Sequence, residues 1–242
     1  VVHGSPDWWG NVPSETVYGG LDTGELAVRL GSCMSFDRRG NVIFIDDFSS
    51  GICVGSPYEA LEDDAVTLHS GESISGPYSI QAHACGEADN MAGMYYERGF
   101  PVLSGIGLQF SFGIHADTKY IMWIIERDDA IDAYRGAVRY DWANKRLEYM
   151  TAWDVWTPFA TTIKASEFSA PYNTGKLIVD FSTDEAIRFL MNERTHGLSD
   201  YSVLKVTSTG VVRLSVWGLH VSASGKAADV KLDAFIVTQN EV

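Results

Sequence analysis

GIGLQFSFGIHA, residues 105–116, places Ile106, Leu108, Phe110, Phe112 and Ile114 at every second position. That period is the mark of a β-strand with one buried face, because successive side chains of a strand point to opposite sides. The next segment, KYIMWIIER (Lys119–Arg127), is apolar on both faces, which predicts a central strand of a sandwich. Working outward, YRGAVRYDWANKRLEYMTAW predicts a hairpin with strands at Tyr134–Tyr140 and Arg146–Ala152 about a turn at Asp141–Lys145. AVTLHS (Ala65–Ser70), YSIQAHA (Tyr78–Ala84) and MAGMYYE (Met91–Glu97) precede it. GKLIVDFS (Gly175–Ser182), AIRFLMN (Ala186–Asn192), VVRLSVWGLHVSA (Val211–Ala223) and ADVKLDAFIVTQ (Ala228–Gln239) follow. Close, regular spacing without a competing helical period predicts an all-β antiparallel sandwich rather than βαβ units.

Residues 1–40 differ from the rest. They carry Gly4, Gly10, Gly19, Gly20, Gly24, Gly31 and Gly40 with Pro6 and Pro13, and only GELAVRL (Gly24–Leu30) suits a turn or two of helix. We read residues 1–40 as an extended N-terminal arm with an entry element, and 41–242 as the sandwich. Cys33–Asp46 is expected to form a hairpin into the first strong strand. Within the arm, Trp8 and Trp9 need an apolar partner, on this chain's own core or on a neighbouring subunit.

The chain of 242 residues has 45% hydrophobic residues and a net charge of −14 at pH 7, so a packed core is expected and global disorder is not. That charge argues against nucleic-acid backbones and anionic membranes as partners. No apolar run reaches the ~18 residues of a membrane span. The opening residues lack the basic and apolar regions of a signal peptide, so a processed product or export by another route is expected. Cys33, Cys53 and Cys85 match no zinc spacing and are expected as free thiols, with one disulfide as the alternative.

Two segments carry a family resemblance. VIFIDDFSSG (Val42–Gly51) and DVKLDAFIVTQN (Asp229–Asn240) are similar to the opening and closing strands of concanavalin A-like jelly rolls, the superfamily of lectin, laminin G-like and glucanase domains. The resemblance covers about residues 40–240 and implies that the first and last strands lie side by side. More narrowly, GELAVRLGSCMSFDRRGNVIFIDDFSSG resembles the opening of uncharacterised bacterial and bacteriophage jelly-roll proteins. That implies a virion or cell-surface setting and no particular chemistry.

Four chemistries suit parts of this sequence. Laminarinase-type hydrolases of this fold carry E-x-D-x-x-E or a form one residue longer. Here Glu126 and Asp128 fit the first two positions, but Ile131 or Asp132 stands where the last Glu belongs. Related binding modules often hold a structural Ca²⁺ where the end strands meet. Asp46, Asp47 and Asp233 could supply hard oxygen ligands there, and the acidic run Glu59, Glu62, Asp63 and Asp64 is another source. Trp153 and Trp156 flank Asp154 in WANKRLEYMTAWDVWTPF and form the best candidate platform for a sugar, whose C–H face packs on aromatic rings. His115 and His220 follow apolar strand residues and are expected to be satisfied strand histidines. Finally, the arm could anchor on the next subunit through Trp8 and Trp9.

The expected function is a non-enzymatic structural subunit of a repeating extracellular or virion assembly, such as a capsid decoration, a tail component or a surface filament. It would self-associate through its arm, with copies of itself or other virion or surface proteins as partners, and would require no cofactor, with a structural Ca²⁺ as an optional addition. A carbohydrate-binding module using Trp153, Asp154 and Trp156 is the alternative, and a β-glucanase relative using Glu126 and Asp128 the second.

Overall fold

Trp123 sets the spacing of two sheets. Its ring is fully buried and stacks on Phe110 at 4.8 Å between centroids, with Phe112 and Phe189 edge-on at 5.3 and 4.8 Å. Its Nε1 donates a 3.1 Å hydrogen bond to the Gly175 carbonyl. A Cβ at residue 175 would lie 2.2 Å from the ring, so only glycine lets the backbone come this close.

The computed structural model describes residues 39–51, 53, 55–74, 76–87, 90–99, 104–168, 170–171 and 173–241. The expected arm with Trp8 and Trp9, the Gly24–Leu30 turn and Cys33 lie outside these residues. The strands are β1 (Asn41–Asp46), β2 (Ser56–Glu59), β3 (Ala65–Ser70), β4 (Tyr78–Ala84), β5 (Met91–Arg98) and β6 (Gly105–Phe112). Next come β7 (Thr118–Asp128), β8 (Asp132–Asp141), β9 (Arg146–Ala152), β10 (Val155–Ala160) and β11 (Asn173–Asp180). The remainder are β12 (Glu185–Met191), β13 (Arg194–Gly197), β14 (Leu204–Thr207), β15 (Arg213–Ser222) and β16 (Ala228–Gln239).

They form an antiparallel jelly-roll sandwich. One sheet runs β13-β12-β11-β6-β16-β4-β3, with β1 also paired to β16. The other runs β10-β9-β8-β7-β15-β5-β2, with β14 paired to β8. The end strands lie side by side as the resemblance implies, with Asp46 opposite Phe235 and Asn41 opposite Gln239. β16 serves β4 with its first half and β1 with its second. At the change-over Ala234 takes φ +58°, and the register with β6 shifts between Asp233 and Ile236.

The alternation in 105–114 is realised. Ile106, Leu108, Phe110, Phe112 and Ile114 are all buried in the core between the sheets. β10 and β2, at the two margins of the second sheet, were not expected as strands. Each contains a proline, Pro158 and Pro57, which supplies no N–H and is tolerated in a sheet mainly at its edges.

β15 brings an imidazole into the interior. His220 is fully buried, and neither ring nitrogen has a hydrogen-bond partner among the described residues, so it is not the satisfied strand histidine expected. His115 lies in the loop after β6, where its Nδ1 accepts from the Asp117 amide. Burial depresses the His220 pKa from 6.5 to about 3. The folded chain keeps this ring neutral while the unfolded chain protonates it, so stability is full above pH 6.5 and falls as pH drops toward 3. The expected slope is at most about 1.4 kcal/mol per pH unit. Urea unfolding between pH 7 and pH 4.5 should show a shallower decline in His220→Leu than in the parent chain.

Candidate functional site: an aromatic cleft on the outer face of the second sheet

Because Ile121, Trp123 and Ile125 point into the core, their neighbours Met122 and Ile124 must point out. Across the sheet Ile124 is opposite Trp217 and Met122 opposite Leu219, both from β15. These side chains floor a cleft of about 320 Å³ whose lining draws on every strand of the path from β10 to β2. Met91 and Met150 extend the floor, Tyr58 stands at the β2 margin, and Trp153, Asp154 and Trp156 close the β10 side. The two apolar faces of KYIMWIIER therefore have different jobs, since one packs in the core and the other lines this cleft.

The sequence-predicted platform is brought together here. Ala152 pairs with Val155, so Trp153 and Asp154 are the two residues of the β9–β10 hairpin turn. Asp154 takes φ +58°, a left-handed conformation that Asp tolerates better than most residues. Trp153, at the turn, is 58% exposed, which is unusual for so large an apolar ring. A register shift between Val155 and Trp156 then sets Trp156 opposite Met150.

Two guanidiniums are wedged among these rings. Arg135 lies 4.6 Å from the Trp153 ring and 5.9 Å from Trp217, and its Nε donates to Glu126 Oε2 at 2.7 Å. Arg139 lies between Tyr120 at 4.0 Å and Trp156 at 4.5 Å, and its Nε donates to Glu148 Oε2 at 2.5 Å. Glu148 also accepts from Arg146 at 2.8 Å. Beyond Met91, Met122, Asp154 and Trp156 the cleft continues into a second hollow of about 420 Å³, lined by polar groups including Lys119, Tyr120, Arg139, Asn90 and Ser222. One continuous groove thus has an apolar half and a polar half.

The other predicted residues are committed elsewhere. Glu126 is buried against Arg135, and Asp128 accepts from Ser208 Oγ at 2.6 Å and from the Ala130 amide at 2.8 Å. Asp46 accepts from the Phe48 and Gly55 amides through its two oxygens. Asp233 accepts from the Ile74 and Ala234 amides, and Asp47 from the Ser49 amide and hydroxyl. Of the second acidic source, Glu59 and Asp64 accept from amides of Val66, Leu61 and Cys85. Among the described residues no three His, Cys, Asp or Glu side chains gather as metal ligands would. Cys53 and Cys85 are free thiols, and burial pushes Cys53 up to about 11.

No protein family matches the chain, and no curated protein sequence does. Solved structures do match in fold. An endo-β-1,4-glucuronan lyase from the fungus Trichoderma reesei superposes with a TM-score of 0.55 at 14% identity, covering 82% of this chain and 96% of that one. The CBM22-1 xylan-binding domain of Paenibacillus barcinonensis Xyn10C gives 0.41 at 13% identity, covering 84% and 97%. Rv0315 of Mycobacterium tuberculosis, described as an immunostimulatory antigen and pseudo β-1,3-glucanase, gives 0.41 at 11%, covering 82% and 98%. The lyase superposition places the chain in the concanavalin A-like jelly-roll fold. The likeness to a polysaccharide lyase, and not to a virion or filament protein, overturns the expected structural subunit of a virion or filament, self-associating through its arm.

Trp217 and Tyr58 were missed as site residues. Trp217 read as one apolar residue among many in VVRLSVWGLHVSA, and Tyr58 sits in a strand too short and too close to Pro57 to be seen. Glu126 is the support under the Arg135 guanidinium. Glu126→Gln should therefore lower unfolding stability by about 1–3 kcal/mol, the worth of a charge-assisted pair. It should also change the tryptophan fluorescence of the folded protein as Arg135 shifts between Trp153 and Trp217.

Proposed function

We propose that this protein binds carbohydrate along the groove on the outer face of the second sheet, as a module that holds a glycan without cleaving it. The observation that carries this reading is the exposed Trp153 ring beside Trp156 and Trp217 over a cleft that crosses the whole sheet. Flat apolar rings next to guanidinium donors suit a pyranose, which offers C–H faces to the rings and hydroxyls to the N–H groups. Six inter-strand spacings of about 4.8 Å give a floor of roughly 29 Å, room for several sugar units. The glycan-active neighbours support the same reading.

Binding rather than hydrolysis is supported by the carboxylates. Glu126 and Asp128 are both engaged with partners, and the carboxylates that line the groove are the exposed Asp154 and Glu87. A pair of carboxyl groups facing each other across a bound glycosidic bond is what hydrolysis would need. An extracellular place of action follows from a polysaccharide ligand, and no helix among the described residues is long and apolar enough to cross a membrane.

Affinity electrophoresis of the full chain in gels containing xylan, mixed-linkage β-glucan, glucomannan or glucuronan tests this reading. Retardation is expected in at least one gel. Trp153→Ala and Trp156→Ala should each weaken it about tenfold or more, a change of at least ~1.4 kcal/mol, without altering the unfolding midpoint. Free migration of the parent chain in every gel would overturn the reading.

A further inference from the structure

The apolar half of the groove is more than a stacking platform. A sugar ring needs a flat aromatic surface, yet here the rings stand around a recess floored by Met122, Ile124, Met150 and Leu219. Hydroxyls entering that recess would lose their hydration and meet no partner on its floor, which disfavours them there. Its lining carries the indole N–H groups of Trp153, Trp156 and Trp217, the Tyr58 hydroxyl and one charged donor, the Arg135 guanidinium. Arg135 spends Nε and Nη2 on Glu126, and its Nη1 has no hydrogen-bond partner among the described residues. The ligand group that fits is therefore apolar, with one acceptor oxygen.

That group should also be uncharged. Glu126 already matches the Arg135 charge, and the exposed Asp154 beside the recess repels anions. The chain as a whole carries −14. A free carboxylate would gain no unpaired cation here, whereas an ester carbonyl needs only the N–H. Methionines supply much of the floor and adapt to small apolar groups at little cost.

We propose that this recess receives an O-acetyl group carried by the bound glycan. The methyl lies on the Met122, Ile124 and Leu219 side chains, and the ester carbonyl accepts from Arg135 Nη1. The glycan backbone continues past Trp156 into the polar half of the groove. This inference rests on the glycan-binding reading and names the ligand class of the same site.

The test uses one polymer in two states. Titration calorimetry of the full chain is run against acetylated xylan and acetylated glucomannan, and against the same samples after mild alkaline deacetylation. Removal of the acetyl groups should weaken binding at least fivefold for one of the two polymers. Ile124→Thr, which keeps the β-branched shape but sets a hydroxyl in the recess, should bring the acetylated and deacetylated affinities to within twofold of each other, while Ile124→Val keeps the preference. Trp153→Ala should lose both. Equal or tighter binding after deacetylation overturns this inference and leaves the glycan reading standing. No binding to either polymer in either state overturns this inference, and the wider panel of neutral and acidic polysaccharides then decides the glycan reading by itself. A dimer in light scattering that Trp153→Ala dissolves would put a second copy in the cleft and overturn the inference as well.

Discussion

The packing of Trp123 against Phe110 fixes more than the distance between the sheets. Side chains of a strand alternate, so turning Trp123 inward turns Met122 and Ile124 outward with no freedom left over. A slip of one residue in β7 would bury the cleft floor and expose the largest ring of the core. The bond from Trp123 Nε1 to the Gly175 carbonyl adds a directional restraint across the interface, and glycine at 175 makes room for it. Core and site are thus two faces of one strand, and the stability of the first guarantees the geometry of the second.

Much of the fold was legible because the relevant signal is local. The alternation in 105–114 needs nothing beyond the strand itself, and β3, β4, β9 and β16 begin and end where the residue pattern places them. The neighbouring end strands followed from resemblance. Short strands and proline-bearing edges escaped because their strand character comes from the partner, as when Tyr58 is held by pairing with Gly93. The site was legible in part for the same reason. Trp153, Asp154 and Trp156 are close in sequence and could be seen as a group, whereas Trp217 and Tyr58 join them only through the order β7-β15-β5-β2. The second apolar face of 119–127 was the available signal. It was read as a buried layer, since a run of Met and Ile looks the same under a second sheet as under a ligand.

The aspartates show the opposite failure. Asp46 and Asp233 do come from strands that lie side by side, but each spends its oxygens on one amide nearby in sequence, of Phe48 or Ala234, and on one loop amide, of Gly55 or Ile74. A carboxylate that tidies a turn or a bulge looks in sequence like one that waits for a cation, and only the hydrogen-bond partners separate the two.

The paired guanidiniums carry a last consequence. Arg135 and Arg139 each bring a carboxylate from the adjacent strand, at Glu126 and Glu148, so neither presents a bare charge to the groove. A binder that relies on unmatched cations loses affinity as added ions screen it. A ligand held through these two already neutralised guanidiniums would keep its affinity from dilute buffer to seawater, because ionic strength would have no unmatched charge on either to screen.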